Sequence, residues 1–300
     1  MNTIMKCCVL LLLPAFPSTH AMAQALENDT TTTPFISEVF LFGGGMGQRQ
    51  RHLAKDELSL LAPGSSLLDR DFTGYDYSGT DFGPASGLFT LGVGLNLFRH
   101  STNATLRRSP LRIGFSFAEG SSLSSVYRRS VSAPYDTLVS TTTGEVFTYD
   151  TTHYSYYFVH QNSQRFGLDA ALLFRSRDFG RFSFYGGPGI ELGVVFNART
   201  TVEHVEGVDV RGPYAHDLFE NAGHSTDAQE EYDNGGSAYA AFHLTIGCDY
   251  RMGTRSIFWR HVHVFSELSP MLRVDGYPGL DKRISNTFRS TFGLRVTLDT

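Results

Sequence analysis

The feature that most restricts the fold of this chain is a period-two alternation of apolar and polar residues. It recurs at 89–97, 111–117, 182–199 and 288–298. In the first of these segments one face consists of Phe89, Leu91, Val93, Leu95 and Leu97, and the other of Thr90, Gly92, Gly94 and Asn96. Successive side chains of a strand point to opposite faces. Alternation over nine or more residues therefore predicts strands longer than the usual length of about five or six residues.

Eight such strands are predicted, and their connections alternate in length. The strands lie near 35–47, 86–98, 110–127, 154–175, 182–199, 236–252, 259–275 and 286–298. The short connections are 99–109, 176–181 and 253–258. The long connections are 48–85, 128–153 and 200–235. The last connection, 276–285, is of moderate length and takes the position of a long one in this alternation. Long loops at one rim and short turns at the other are the layout of an outer-membrane barrel.

The composition of the two strand faces indicates which one meets lipid. The apolar face is an unbroken run of Phe, Leu, Val and Ile, as lipid requires. The other face is rich in glycine, which would weaken a strand exposed to water but leaves room inside a narrow barrel. The sequence therefore predicts an all-β fold: an eight-stranded antiparallel up-and-down transmembrane β-barrel with long extracellular loops and short periplasmic turns. A soluble, lipocalin-like barrel is the alternative.

Aromatic residues gather near the predicted strand ends, as in the two interfacial girdles of such barrels. Those at the long-loop rim are Tyr154, Tyr156, Tyr157 and Phe158. Those at the short-turn rim are Phe98, Phe258 and Trp259.

The N-terminus predicts export. Residues 1–23 combine a positive charge, a short apolar run and the small residues Ala21 and Ala23, the pattern of a cleaved signal peptide. A polar linker at 24–34 would follow, and then a single barrel domain at 35–300. Cleavage would leave Cys248 as the only cysteine, so no disulfide framework is expected.

A glycine-rich stretch resembles a known family. Residues 165–173, a tight turn and then 184–193, which reads FYGGPGIELG, are similar to strands of eight-stranded outer-membrane β-barrels of Gram-negative bacteria, in particular the PorT-like barrel domain. The resemblance covers roughly 35–298 and implies an outer-membrane barrel without catalytic residues. The chain departs from many such barrels in ending on Asp299 and Thr300, where they end on an aromatic residue.

The inward face of the predicted barrel bears charges that are expected to pair. They are Glu38, Arg112, Arg165, Asp169, Glu191, His243, Asp249, Glu267, Arg289 and Arg295. Folding the hairpins about residues 178 and 255 sets Arg165 opposite Glu191 and His243 opposite Glu267. Closing the last strand on the first brings Glu38 to the depth of Arg295. We predict that this structural lumen network plugs the barrel.

Two loop segments contain oxygen ligands. Residues 69–74 imitate the first half of a calcium loop, but Thr80 stands where the bidentate carboxylate belongs, which favours an ordinary polar loop. Residues 203–234 hold nine acidic residues and three histidines. That segment is consistent with collecting divalent cations, although a solvated, mobile loop is the simpler interpretation.

The function predicted from these features is a surface-interaction or structural role of the long external loops. The expected partners are outer-membrane lipid and lipopolysaccharide, with a protein partner outside the cell or in the periplasm. Two alternatives stay open: an enzyme acting on lipid A or peptides, and a narrow channel for small solutes. No cofactor, metal or catalytic residue is predicted. A net charge of −5 argues against nucleic acid as a partner.

Overall fold

The structure, a computed structural model, describes residues 35–48, 53–70, 72–78, 86–98, 100–102, 109–176, 181–211, 224–276 and 283–298. The predicted signal peptide and the whole of the predicted linker lie outside these residues. Within them the strands are β1 (Ile36–Gln48), β2 (Asp76–Tyr77), β3 (Ser86–Leu95), β4 (Leu111–Val139), β5 (Val146–Leu172), β6 (Phe174–Arg175), β7 (Phe182–Arg211), β8 (His224–Asp233), β9 (Ser237–Arg251), β10 (Val262–Asp275) and β11 (Arg283–Thr297). The helices are α1 (Lys55–Leu61) and α2 (Ile257–His261).

Eight antiparallel strands close into a ring in the order β1, β3, β4, β5, β7, β9, β10 and β11. The ring closes where β11 pairs with β1, Leu41 lying opposite Leu294. Every neighbour in the ring is also a neighbour along the chain, apart from the short strands outside it, so the topology is up-and-down. The predicted fold class is confirmed. Neither α1 nor α2, nor any other helix in the described ranges, is long and apolar enough to cross a membrane.

The two faces of the ring differ as the alternation predicts. Large apolar side chains point outward on all eight strands, most of them more than a third exposed, and form a continuous apolar belt. Representative members are Leu41, Leu91, Phe115, Leu168, Leu192, Leu244, Leu268 and Phe292. The inward side chains between them are buried. The single described cysteine, Cys248, is exposed on the outward face.

Three strands continue far beyond the ring at the long-loop end. β4 extends 20 residues past Glu119, which pairs with the ring residue Gly87, and this is about 65 Å of strand at roughly 3.3 Å per residue. The upper parts of β4, β5 and β7, together with β2 and β8, form what we call the outer sheet. The predicted loops 128–153 and 200–235 are therefore largely strand, and the mobile-loop interpretation of the second was wrong for its described part.

Two irregularities mark the transition from the ring to the outer sheet. Gly120 has φ +145° and Asn197 has φ +49°, conformations that glycine and asparagine tolerate best. Register shifts follow at both places, so the inward parity changes from even to odd residues in β4 and from odd to even in β7. Asn197 consequently points outward, although the alternation predicted an inward position.

The short-turn rim also differs in detail from the prediction. The strand expected at 259–275 starts at Val262, because residues 257–261 form the helix α2. Phe258 and Trp259 lie on this helix, largely exposed, with their rings 5.0 Å apart. This agrees with their predicted place at that rim.

Candidate functional site: the lumen and the capped outer sheet

All ten residues of the predicted lumen network lie inside the barrel and are at most 6% exposed. Asp275, Arg273 and the largely buried Arg175 join them. These described residues bring six carboxylates and six guanidinium groups into the lumen, so groups of opposite sign are available to pair there. Buried charges are tolerated when each has a partner of opposite sign and hydrogen bonds for its remaining polar atoms.

The layer nearest the short-turn end centres on Arg295. Its Nη1 donates to Glu38 Oε2 at 2.7 Å, and its Nη2 contacts the carboxylate of Asp249. Arg175 also donates to Glu38, at 3.2 Å, and His263 Nδ1 lies 2.7 Å from Asp249. Glu38 and Arg295 therefore lie together, on neighbouring strands.

The next layer is a two-pronged ion pair between Arg112 and Glu267. Arg112 Nη2 donates to Glu267 Oε2 at 3.0 Å, and its Nη1 contacts Oε1. The hydroxyl of Tyr185 donates to Glu267 at 2.8 Å. The guanidinium plane lies over the rings of Phe40 and Phe42, 5.0 and 5.2 Å from their centroids. Its charge is thus met by a fork of carboxylate oxygens and by two aromatic faces.

The third layer connects three strands through Asp169. Arg289 Nη1 donates to Asp169 at 3.2 Å, and His243 Nε2 lies 3.0 Å from the same oxygen. Arg289 also lies 3.5 Å from Glu191. Glu191 in turn accepts hydrogen bonds from Ser116 at 2.9 Å and Tyr239 at 2.6 Å.

Two of the predicted pairs were wrong. Arg165 lies opposite Val195 rather than Glu191, and it donates to Ser86 at 2.9 Å. His243 lies opposite Met271 rather than Glu267, and contacts Asp169 instead.

Both errors have the same cause, which is the position of the turn. Residue 171 pairs with 189 and residue 263 with 251, so the hairpins fold about 180 and 257, two residues beyond the assumed centres. In the second hairpin the extra residues form α2. A turn displaced by two residues keeps every side chain on its face but moves its partner by four positions.

The lumen also contains an apolar layer that the alternation did not predict. Its members are Phe40, Phe42, Met46, Leu88, Ala118, Ala171, Leu173, Tyr185, Ala241, Phe265 and Met271. The rings of Phe42 and Phe265 meet edge to face at 6.0 Å. The lumen is therefore filled by side chains rather than open, as expected for eight strands. The sequence EVFLFGG near the start of β1 indicates this apolar layer, because its apolar residues lie on both faces of the strand.

The long connection between β1 and β3 folds into a cap on the outer sheet. The cap comprises the described residues 53–70 and 72–78, including α1. Its apolar side chains form a second core with the inward face of the outer sheet. The buried members are Leu53, Leu58, Leu61, Ala62, Leu67, Leu68, Tyr127, Tyr157, Val159 and Val202.

This second core changes two predictions. Tyr157 is 1% exposed and its ring lies 4.5 Å from that of Phe72, so it belongs to the core and not to an outward girdle. Residues 69–74 are not simply a polar loop either, because Phe72 packs there and Leu68 before them is buried. Asp71 and Thr80 of the calcium-like pattern lie outside the described residues.

Buried polar groups attach the cap to the outer sheet. Asn234, which separates β8 from β9, donates to the carbonyl of Leu61 at 2.5 Å and accepts from Thr200 at 2.5 Å. The hydroxyl of Tyr127 donates to the carbonyl of Leu53. Burial raises the pKa of Tyr127 to about 12, so it remains a donor at neutral pH.

Glu230 on β8 receives the other end of the cap. Ser65 and Ser66 each donate to its carboxylate at 2.5 Å, and Tyr232 donates at 2.8 Å. Desolvation opposes ionisation, but these hydrogen bonds prevail and lower the pKa of Glu230 from 4.5 to about 2. In the described chain, no group of three or more His, Cys, Asp and Glu side chains is arranged to hold a metal ion.

One contact in the outer sheet resembles a nucleophile and its base. Ser155 Oγ lies 2.8 Å from His204 Nε2, and Arg70 Nη1 lies 3.3 Å from His204 Nδ1. A guanidinium can only donate, so Nδ1 accepts and the ring hydrogen resides on Nε2. His204 then donates to Ser155. A general base would need the opposite tautomer.

No protein-family model and no curated protein matches the chain. Ail, the attachment invasion locus protein of Yersinia pestis, matches in structure at 11% identity and TM-score 0.26, over 87% of this chain and 99% of Ail. Ail in complex with the heparin analogue sucrose octasulfate matches over the same shares at 11% identity and TM-score 0.24. OmpT of Vibrio cholerae, an outer membrane protein, matches at 10% identity and TM-score 0.12, over 85% and 76%. TM-scores this low establish neither a family nor a function.

Proposed function

We propose that the chain is an outer-membrane barrel that holds a rigid, folded sheet above the membrane for interaction at the cell surface. The observation behind this proposal is the second core. A loop that served only to connect strands would not bury six of its own apolar residues against a sheet that continues well beyond the ring. The apolar belt supports the membrane setting, because soluble monomers rarely expose large contiguous apolar patches.

The family that we propose is the PorT-like barrels. Its support is the glycine-rich stretch 184–193, whose inward glycines make room for larger lumen side chains. A Cβ on Gly189 would lie 2.3 Å from the ring of His243, so the close approach of that ring requires glycine. The proposed setting, with residues 1–23 removed on export, is the outer membrane.

We propose that the chain acts neither as a hydrolase nor as a channel, and two observations support this. The tautomer imposed by Arg70 leaves Ser155 without a base, and the pair is covered by the cap. A channel would need an open lumen. The cavity beside Glu38, Arg112 and Tyr185 is water-sized, and side chains fill the layers above it.

Three measurements test this proposal. The mature chain should fractionate with outer membranes and should migrate differently on gels before and after boiling, because closed barrels resist unfolding. In planar bilayers the purified chain should produce no ion conductance. Recovery as a soluble periplasmic protein, or steady single-channel currents, would refute the corresponding part.

A further inference from the structure

We propose that the outward side of the outer sheet binds the sugar portion of lipopolysaccharide in the surrounding leaflet, through an aromatic ladder on β5. The ladder consists of Tyr154, Tyr156, Phe158 and His160, which occupy successive outward positions. This inference rests on the membrane setting of the proposed function, and it names the partner and the surface.

The ladder is a continuous row of rings. The centroids of Tyr154 and Tyr156 lie 5.6 Å apart, those of Tyr156 and Phe158 lie 5.7 Å apart, and those of Phe158 and His160 lie 6.2 Å apart. All four residues are partly exposed. The last two pairs are nearly parallel, with interplanar angles of 19° and 16°. The row therefore presents one long aromatic surface to the side of the molecule.

The height of the ladder distinguishes it from a lipid-anchoring girdle. Phe166 is the uppermost β5 residue of the apolar belt, and Phe158 lies eight residues above it, about 20 Å along the barrel axis at the usual rise and tilt. A polar row intervenes: Asn197 donates to Gln164 at 2.7 Å, and Gln164 donates to Glu119 at 3.2 Å. Lipid headgroups would lie beside this polar row, so the ladder lies above the acyl chains.

The surface continues the lipid-facing belt. The same outward face of the same strand passes from Phe166, through the polar row, to the ladder without a turn. Whatever molecule has its acyl chains against the belt must place its headgroup and sugars against the ladder. In an outer leaflet that molecule is lipopolysaccharide, and its sugars are the neighbours at this height.

The chemistry of the ladder suits a saccharide. Aromatic faces have partial negative charge, which attracts the polarised C–H groups on the flat side of a pyranose. Tyrosine provides a large contact area at small conformational cost. Arg128 lies over the ring of Tyr156 at 5.6 Å and offers donors to hydroxyl or phosphate oxygens. Burial lowers the pKa of His160 below its usual value, which keeps the ladder uncharged at neutral pH.

The test uses the full chain in phosphatidylcholine nanodiscs. The probe is the oligosaccharide released from lipopolysaccharide by mild acid, which has no lipid A, and binding is measured by calorimetry. Tyr156→Ala combined with Phe158→Ala should weaken binding about tenfold or more, while Tyr156→Phe should bind within about twofold of the parent chain. Phe147→Ala is the matched control, since Phe147 is an aromatic residue of β5 on the other face, and it should change nothing.

Three outcomes would overturn the inference. The first is that the parent chain fails to bind the oligosaccharide, and the second is that the double-alanine variant binds it equally well. The third is a concentration-dependent dimer of the parent chain that the double-alanine variant does not form, which would assign the ladder to contact with a second copy. Each variant should keep the gel shift on boiling. If the parent chain shows this shift but does not bind the oligosaccharide, this inference alone is refuted. If the parent chain shows no shift, the proposed function is refuted.

Discussion

The ion pair of Arg112 and Glu267 gives the sharpest test of the lumen. Replacing Glu267 by leucine would leave the Arg112 guanidinium buried without its carboxylate and would take away the acceptor of Tyr185. Loss of one partner of a buried pair costs about 3–5 kcal/mol. Since both side chains are at most 3% exposed, bulk solvent does not reach the pair, and we expect about 4 kcal/mol of destabilisation.

Removing both charges should cost less than removing one. Arg112→Leu together with Glu267→Leu leaves no unpaired charge, and we expect the double variant to lie within about 2 kcal/mol of the parent chain. Glu119→Leu is the matched control. Glu119 is an exposed carboxylate on β4, so its removal should change stability by less than about 1 kcal/mol.

The assay is urea unfolding in phospholipid vesicles, followed by fluorescence. The chain has one tryptophan, Trp259, which is 48% exposed at the short-turn rim and so lies outside the lumen in which the substitutions are made. Two results would refute the reasoning. One is a free energy of unfolding for Glu267→Leu within about 1 kcal/mol of that of the parent chain. The other is additivity, in which the double variant loses as much stability as Glu267→Leu and Arg112→Leu lose together.

Three further predictions concern the cap and the outer sheet. Asn234→Ala should remove two buried hydrogen bonds and loosen the cap by about 1–3 kcal/mol, seen as faster hydrogen exchange in residues 53–70 with the ring unchanged; equal exchange would contradict it. Glu230 has a lowered pKa, so it stabilises the cap above about pH 4.5 and this contribution is lost as pH falls towards 2; the protection factors of the cap amides, that is, exchange corrected for its intrinsic pH dependence, should fall over that range in the parent chain but not in Glu230→Gln. Protease added to intact cells should cut the β4–β5 hairpin at its turn, 140–145, and spare the paired residues 128–134; cleavage within the latter would show that the outer sheet is not folded.

The barrel could be predicted from the sequence because one physical rule determines it. Alternation assigns each side chain to a face, and the sheet register cannot change that assignment without moving every apolar residue inward. Glu38, Asp169 and Arg295 are therefore found inside. The pairing of charges was less predictable, since it depends on the length of each turn, and the helix α2 displaced one of them.

The cap could not be predicted from alternation at all. Its core joins Leu58 and Leu61 of a short helix to Tyr157 and Val202, which are more than 90 residues away in the chain. Such contacts depend on tertiary packing rather than on local periodicity. The outer sheet was missed for a related reason. The bulges near Gly120 and Asn197 reverse the inward parity, so the alternation appears to stop where the strands in fact continue.

The central claim, that this barrel turns its apolar face to lipid and its polar face to a filled lumen, is tested most directly at two adjacent residues. Leu244 is 45% exposed and points outward, whereas Thr245 is fully buried in the lumen. The two variants are Leu244→Cys and Thr245→Cys, each combined with Cys248→Ser. Each is placed in vesicles of lipids brominated on their acyl chains and treated with bimane, and the two variants should differ in their labelling and quenching. We expect a label at residue 244 that the bromines quench strongly, and no labelling at residue 245. Quenching at residue 245, or an unquenched label at residue 244 that a water-soluble quencher reaches, would contradict the account.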